Sequence, residues 1–348
     1  MSGRIPVNVL TGFLGSGKTS LLNRMLRDPL FNNCAVLINE FGDIGIDHHL
    51  VDRVDGDVVL LQSGCICCTI RGDLASAMRD LYERRERGDV PAFTRLVIET
   101  TGLADPVPVL STVMYDRILQ HHFRVGNVVT TVDAVNGAAN LGQFPECQKQ
   151  VAVADRLVVT KLDIADPAHT PALWAQLSQT NPGALCVSLN PVELDVRNLL
   201  GMDVFELSSK GEAVAHWLQA TPQRSYLSLG PSNARPGMGV HSRAGAHLDI
   251  VSFSLVLPAL LDWTVFSVWL SLLLHAHGAQ VLRVKGLLQV QGADTPVVIH
   301  GVQQLVHPPT HLESWPSSDH SSRLVMIVRA LEPQRIQDSL TTYLRDFG

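Results

Sequence analysis

The stretch Ile5-Pro6-Val7-Asn8-Val9-Leu10-Thr11-Gly12-Phe13-Leu14-Gly15-Ser16-Gly17-Lys18-Thr19-Ser20-Leu21-Leu22 decides how this chain folds. Residues 5–10 are mostly apolar and read as a buried strand, while Ser20 onward, through Leu21, Leu22, Met25 and Leu26, reads as a helix. Between them Gly12 to Thr19 fits G-x-x-x-x-G-K-[ST], so strand, glycine-rich loop and helix follow in the order that a phosphate-binding loop requires. The chemistry needs all three parts. Glycines let main-chain N–H groups wrap a polyphosphate, the helix start presents unpaired donors, and Lys18 adds a point charge. Gly12, Gly15, Ser16, Gly17, Lys18, Thr19 and Ser20 are therefore the expected nucleoside-triphosphate-binding set. The Thr19 hydroxyl is free for Mg2+, and Lys18 and Thr19 count among the expected catalytic groups. A merely flexible glycine-rich turn would not require the flanking strand and helix.

Outward from this loop, as far as about residue 220, short apolar runs alternate with helix-like stretches. That is the pattern of a doubly wound α/β domain with a mostly parallel sheet, so residues 1–220 are read as a P-loop domain. Strands are expected over residues 7–10, 35–39, 58–61, 96–99, 128–132, 157–160 and 185–188. Ligand chemistry in such a sheet gathers at the C-terminal strand ends. Thr11-Gly12, Asn39-Glu40, Gly64-Cys65, Glu99-Thr100, Asp133 and Thr160-Lys161 all fall there. Residues 221–246 lose the rhythm and collect Pro231, Pro236, Gly237, Gly239 and Gly245, the composition of a linker. A smaller α+β domain is expected over 247–348, with strands at 249–257, 281–290, 296–306 and 324–329 and helices at 262–277 and 333–347.

Composition narrows the function classes. A chain of 348 residues is too long for one ordinary core and can bury a large one. With 27 basic against 33 acidic residues and no basic run, nucleic acid is not an expected partner. The longest apolar stretch, residues 263–274, falls short of the ~20 residues needed to span a bilayer. No signal segment is evident at the N-terminus, so no membrane partner is expected and the cytoplasm is the expected compartment. A homodimer is left open. Three of the six cysteines fall within four residues, which does not fit a secreted disulfide framework. The fourteen histidines are scattered; His48-His49 and His121-His122 read as surface, and His300, His307 and His311, with Trp315, read as ordinary packing ahead of the alternative, a partner surface.

Thr160-Lys161-Leu162-Asp163 closes one expected strand and resembles the guanine-recognition motif N-K-x-D of GTPases. Guanine offers N1–H and an exocyclic NH2 side by side, so one fixed carboxylate, Asp163, accepts both, and adenine offers no such pair. Lys161 would lay its stem over the base. Thr160 departs from the usual Asn, and the alternative reading is that Asp163 caps the following helix. Leu96-Val97-Ile98-Glu99-Thr100-Thr101-Gly102 is an apolar strand ending in an acid and then a glycine. Glu99 is suited to Mg2+ or to the attacking water, and Gly102 to backbone approach on the γ-phosphate. The alternative there is an exposed strand-end acid.

Gly64-Cys65-Ile66-Cys67-Cys68 is the other unusual feature. Thiolates are soft ligands suited to Zn2+ and to related ions such as Co2+. In extended backbone Cys65 and Cys67 share a face, and Cys68 joins them only if the chain turns. Two or three thiolates leave the shell incomplete, which suits an ion that must later leave; Glu40 and Asp43 are the candidate extra ligands. Buried inert thiols and a redox pair are the alternatives.

Taken together, Gly12 to Thr19, Asn39-Glu40-Phe41-Gly42, the cysteine motif, Glu99 to Gly102 and Thr160 to Asp163 resemble the CobW-type family of P-loop GTPases. Arg283-Val284-Lys285-Gly286, His300-Gly301-Val302-Gln303 and Trp315-Pro316 extend the resemblance past the linker. The resemblance implies GTP hydrolysis coupled to delivery of a metal, most often zinc, from the cysteine motif to a client apo-metalloprotein. Members that serve cobalamin synthesis with cobalt often carry a long His- and acid-rich stretch before the last domain. Only His241 and His247 stand there in this chain, so cobalt is the less favoured cargo. Two other classes are a metabolite kinase or ATPase with incidental cysteines, and a GTP-controlled protein-binding switch that moves no metal.

Overall fold

The computed structural model describes residues 3–39, 59–62, 70–189, 199–200, 250–257 and 260–348. The chain divides into two compact units, Met1–Trp217 and Leu218–Gly348. The expected linker, 221–246, lies outside the described residues.

The first unit is built on a seven-stranded sheet of β1 (Ile5–Gly12), β2 (Cys34–Asn39), β3 (Val59–Gln62), β4 (Arg95–Thr100), β5 (Phe123–Asp133), β6 (Arg156–Thr160) and β7 (Leu185–Ser188). Each expected strand is present, in the order β3-β2-β4-β1-β5-β6-β7, and every pairing is parallel. Helices α1 (Lys18–Leu26), α2 (Ile70–Arg87), α3 (Val107–Tyr115), α4 (Leu119–His122), α5 (Gly137–Gln143), α6 (Pro145–Val153) and α7 (Thr170–Thr180) connect the strands.

Strand alternation sends neighbouring residues to opposite layers. Val158 packs with Leu21, Leu22 and Met25 of α1, whereas Leu157 and Val159 pack with Leu141, Val151, Leu173 and Leu177 of α5, α6 and α7. Both faces are thus covered, as a parallel sheet requires.

β5 starts at Phe123, five residues before the expected 128. A bulge hid its first half: the register with β1 jumps between Val7 and Val9, opposite Gly126 and Asn127. Buried Asn8 fills the gap, its Oδ1 accepting from the Asn127 N–H at 2.9 Å. A Gly-Asn pair inside a strand reads from sequence as a break, although here the side chain of the partner strand repairs the ladder.

The second unit carries an antiparallel sheet in the order β11-β10-β9-β13-β8, with β12 paired to β10. Its strands are β8 (Ile250–Leu257), β9 (Val281–Leu288), β10 (Val297–Val302), β11 (Leu305–Val306), β12 (Thr310–His311) and β13 (Ser322–Arg329). Helices α8 (Trp263–His277) and α9 (Pro333–Phe347) pack on one face, burying Phe266, Trp269, Leu270, Ile336 and Leu340 against Leu255, Val284, Leu324 and Met326. Asp262 starts α8 by accepting from the Val265 N–H at 3.0 Å.

One expected strand proved to be two. The run 296–306 folds back after Val302, pairing Val302 with Leu305 and Gly301 with Val306. Gln303 takes the positive φ of this tight hairpin, 52°. Neither Gly nor Asn stands at the turn, so the usual sequence signal is missing. Among the described residues no helix is long and apolar enough to cross a membrane.

Candidate functional site

β1 lies between β4 and β5, the place where successive connections leave in opposite directions, so a crevice opens at its carboxyl end. The glycine-rich loop fills that crevice. Gly12 has φ 145°, and a Cβ there would stand 2.3 Å from Thr131 Oγ1 and 2.5 Å from the Thr131 carbonyl oxygen. Only glycine lets β1 turn into the loop at this point. Ser16 is buried, its hydroxyl 2.6 Å from that of Thr131. Gly15 and Ser20 are exposed at the loop tip and on the first turn of α1. Lys18 folds back, its Nζ donating to the carbonyls of Gly12 at 3.0 Å and Phe13 at 3.2 Å.

The next strand contributes the acid. Glu99 is buried at the end of β4, and Thr19 donates its hydroxyl proton to Glu99 Oε1 at 2.9 Å. The reading of Glu99 as an exposed strand-end acid therefore does not hold. A hydroxyl and a carboxylate so placed are hard oxygen donors, the set that suits Mg2+. Beyond Glu99, Gly102 lies so close to the loop that a Cβ would fall 2.7 Å from both Leu14 N and Leu14 Cα. Thr100 joins the two strands below by donating to Thr11 Oγ1 at 2.8 Å.

At the end of β6, the Thr160 hydroxyl donates to the Ser16 carbonyl at 2.8 Å, and its side chain lies 3.5 Å from where a Gly17 Cβ would be. Threonine at this position thus braces the phosphate loop directly. Lys161 follows with φ 57° and forms a 2.8 Å ion pair with Asp133 Oδ2 at the end of β5. Burial pushes the Asp133 carboxyl up, but the Lys161 ammonium, the Val135 N–H and the Asn136 amide outweigh it and hold the group below the usual carboxylate range. Asp163 is exposed in a turn closed by the Ile164 and Ala165 N–H groups on the Lys161 carbonyl. Since α7 begins only at Thr170, Asp163 caps no helix there.

The structure thus brings Gly12, Gly15, Ser16, Gly17, Lys18, Thr19, Ser20, Glu99, Gly102, Thr160, Lys161 and Asp163 to one edge of one sheet, from strands that are neighbours in the order β4-β1-β5-β6. The proposed metal ligands Cys65, Cys67, Cys68, Glu40 and Asp43 lie outside the described residues, as do His48, His49, His241 and His247. Among the described residues no group of three or more His, Cys, Asp or Glu side chains is placed to hold an ion. The described thiols are unreactive by environment: burial pushes Cys34 and Cys147 up to about 12 and Cys186 up to about 11.

Sequence reasoning placed Asp133 at a strand end but gave it no role; its grip on Lys161 depends on β5 and β6 being adjacent. Thr131, Phe144 and Gln150 were missed altogether, since Thr131, Phe144 and Gln150 belong to no motif. Phe144 packs against Phe13 of the loop with ring centroids 4.7 Å apart.

Residues 6–188 match the family described as CobW/HypB/UreG, nucleotide-binding domain, and residues 250–344 match the cobalamin synthesis protein cobW C-terminal domain. The zinc chaperone YjiA of Escherichia coli (strain K12) is 32% identical over 86% of this chain and 87% of its own length. The zinc chaperone CobW of Pseudomonas aeruginosa is 28% identical over 98% of this chain and 92% of its own. The crystal structure of Zn(II)-bound YjiA GTPase from E. coli superposes with a TM-score of 0.71 at 26% identity, covering 98% of this chain and 99% of that one. From its loop geometry, its two matched segments and these relatives, the chain belongs to the CobW/HypB/UreG family of nucleotide-binding proteins.

Proposed function

We infer that this chain is a GTP-hydrolysing metallochaperone that carries zinc to a client metalloprotein. Its working parts are a GTPase domain over 1–220, a linker over 221–246 and a second domain over 247–348. The observation that carries the reading is the Thr19–Glu99 hydrogen bond beside a lysine folded onto its own loop. Phosphate oxygens would take over Lys18, and Thr19 and Glu99 would hold Mg2+. When bound, Mg2+ neutralises charge on the β- and γ-phosphates. The protein supplies the rest by positioning: Gly12 to Thr19 wrap the triphosphate, Gly102 offers its N–H to the γ-phosphate, and Asp163 with Lys161 selects guanine.

Zinc is cargo in this scheme. Cys65, Cys67 and Cys68, with Glu40 or Asp43, are the ligands we assign to it on donor chemistry and on the names of the relatives, which are zinc chaperones. In the sequence both ligand groups follow the carboxyl ends of strands β2 and β3, the same edge of the parallel sheet as the ends of β1, β4 and β6 to which we assign the nucleotide. Loops so attached are ordered by the γ-phosphate and released on its loss, the usual logic of a GTPase switch. Cobalt is the second cargo that thiolates of this kind accept.

Steady-state hydrolysis of Mg-GTP and Mg-ATP, with zinc stoichiometry in the native chain and in a Cys65→Ala/Cys67→Ala/Cys68→Ala variant, tests the reading. GTP hydrolysis without ATP hydrolysis, and one zinc lost in the variant, is the expected result. Equal turnover of ATP would favour a kinase or ATPase, and unchanged zinc in the variant would place the cargo site elsewhere.

A further inference from the structure

Helix α6 approaches the nucleotide edge from the side, and its most buried polar residue, Gln150, is fully enclosed. Gln150 Nε2 donates to two main-chain carbonyls of the loop after β4, Gly102 at 3.2 Å and Ala104 at 3.0 Å. Two carbonyl partners fix which way the amide points, because only its NH2 end serves both. Gln150 Oε1 is buried with no hydrogen-bond partner. A residue kept only for packing would not carry that burden, since Met or Leu would fill similar space without it.

The surroundings make Gln150 a strut. Its own main-chain carbonyl accepts from the Thr130 hydroxyl of β5 at 2.9 Å, tying that turn of α6 to the sheet. On its far side Gly102 presses against the main chain of Leu14 in the phosphate loop. The neighbouring Lys149 reaches Asp105, the residue after Ala104, at 3.4 Å. Phe144, which precedes the helix, packs on Phe13 of the phosphate loop. One helix therefore braces both sides of the space where a γ-phosphate would lie.

We propose that Gln150 is a positioning residue for hydrolysis: it holds Gly102 against the phosphate loop so that the Gly102 N–H meets the γ-phosphate. This rests on the GTPase reading above and deepens it. Gln150 touches no substrate; it acts through Gly102. GDP lacks the γ-phosphate, so its affinity does not depend on the strut.

The test uses the full chain and the variant Gln150→Met, which keeps length and helix preference but removes both donors. We expect kcat for GTP and affinity for a non-hydrolysable GTP analogue each to fall about tenfold, the scale of one lost hydrogen bond, with GDP affinity within about twofold of the native value. Gln150→Asn, which keeps the amide but is one methylene short, gives the same split and serves if Gln150→Met does not fold. Equal losses for the analogue and GDP would reduce Gln150 to a structural role and overturn the proposal, as would variants that behave like the native chain. Absence of GTP turnover in the native chain is a separate result: it removes the GTPase reading itself, and the proposal with it.

Discussion

In the parallel sheet β1, β4, β5 and β6 run the same way and end on Gly12, Thr100, Asp133 and Thr160 along one edge; in the antiparallel sheet β9 and β10 run in opposite senses and their ends separate. The polar residues follow that difference. In the first sheet they meet across long sequence distances, Thr19 with Glu99 over 80 residues and Thr160 with Ser16 over 144. In the second, buried Arg283, Lys285 and His300 sit within strands, with Lys285 opposite His300 in the ladder. A parallel layer turns distant segments into one site by geometry alone, whereas an antiparallel layer of equal burial does not. We therefore place the chemistry in the first unit and read the second by its core.

The comparison can be broken at several points. Phe266→Ala, in the core of the antiparallel unit, should cost about 3–5 kcal/mol of stability in denaturant unfolding, the usual penalty for truncating a fully buried ring. Nucleotide affinity of the folded variant should stay within about twofold, and a matching loss there would show that the polar edge is not self-sufficient. Lys18→Ala should do the reverse, lowering kcat/KM for GTP by about 10²–10³-fold, the range seen when one aimed donor is removed, with the unfolding midpoint little changed. Asp163→Asn should narrow the preference for GTP over ATP by roughly 10- to 100-fold, as expected when hydrogen bonds to a charged group worth about 1.5–3 kcal/mol each are weakened. Competitive binding of the two nucleotides measures it, and an unchanged ratio would remove Asp163 from guanine recognition.

The smallest effect separates the cysteines. With their thiols held far above neutral pH by burial, Cys34, Cys147 and Cys186 should resist alkylation of the native chain at pH 8. Mass mapping should find rapid, zinc-sensitive labelling at Cys65, Cys67 and Cys68 alone. Fast labelling of Cys147 would contradict the burial that sets its pKa.

The sequence made the parallel sheet legible because each strand is a short apolar run bounded by a motif, and Gly12 to Thr19 fixed where the first one ends. The interior of β5 was less readable: Gly126 and Asn127 break the apolar run, and only Asn8, more than a hundred residues earlier, explains why the strand continues. The hairpin at Gln303 was hidden for a local reason, since a positive φ at glutamine leaves no mark in composition. Among the site residues, those in motifs were named from sequence and Asp133 was placed without a role. Gln150 was invisible, because a buried glutamine on a helix acquires meaning only when the fold sets two carbonyls 3.2 and 3.0 Å from its amide.

Zinc affinity with a non-hydrolysable GTP analogue, with Mg-GDP and with no nucleotide, measured by competition against a calibrated chelator, tests the link between nucleotide and cargo most directly. Coupling between the two ligands predicts zinc held at least ~10-fold more tightly with the analogue than with Mg-GDP, and by reciprocity the analogue held equally more tightly with zinc. One affinity for zinc in all three states would contradict it.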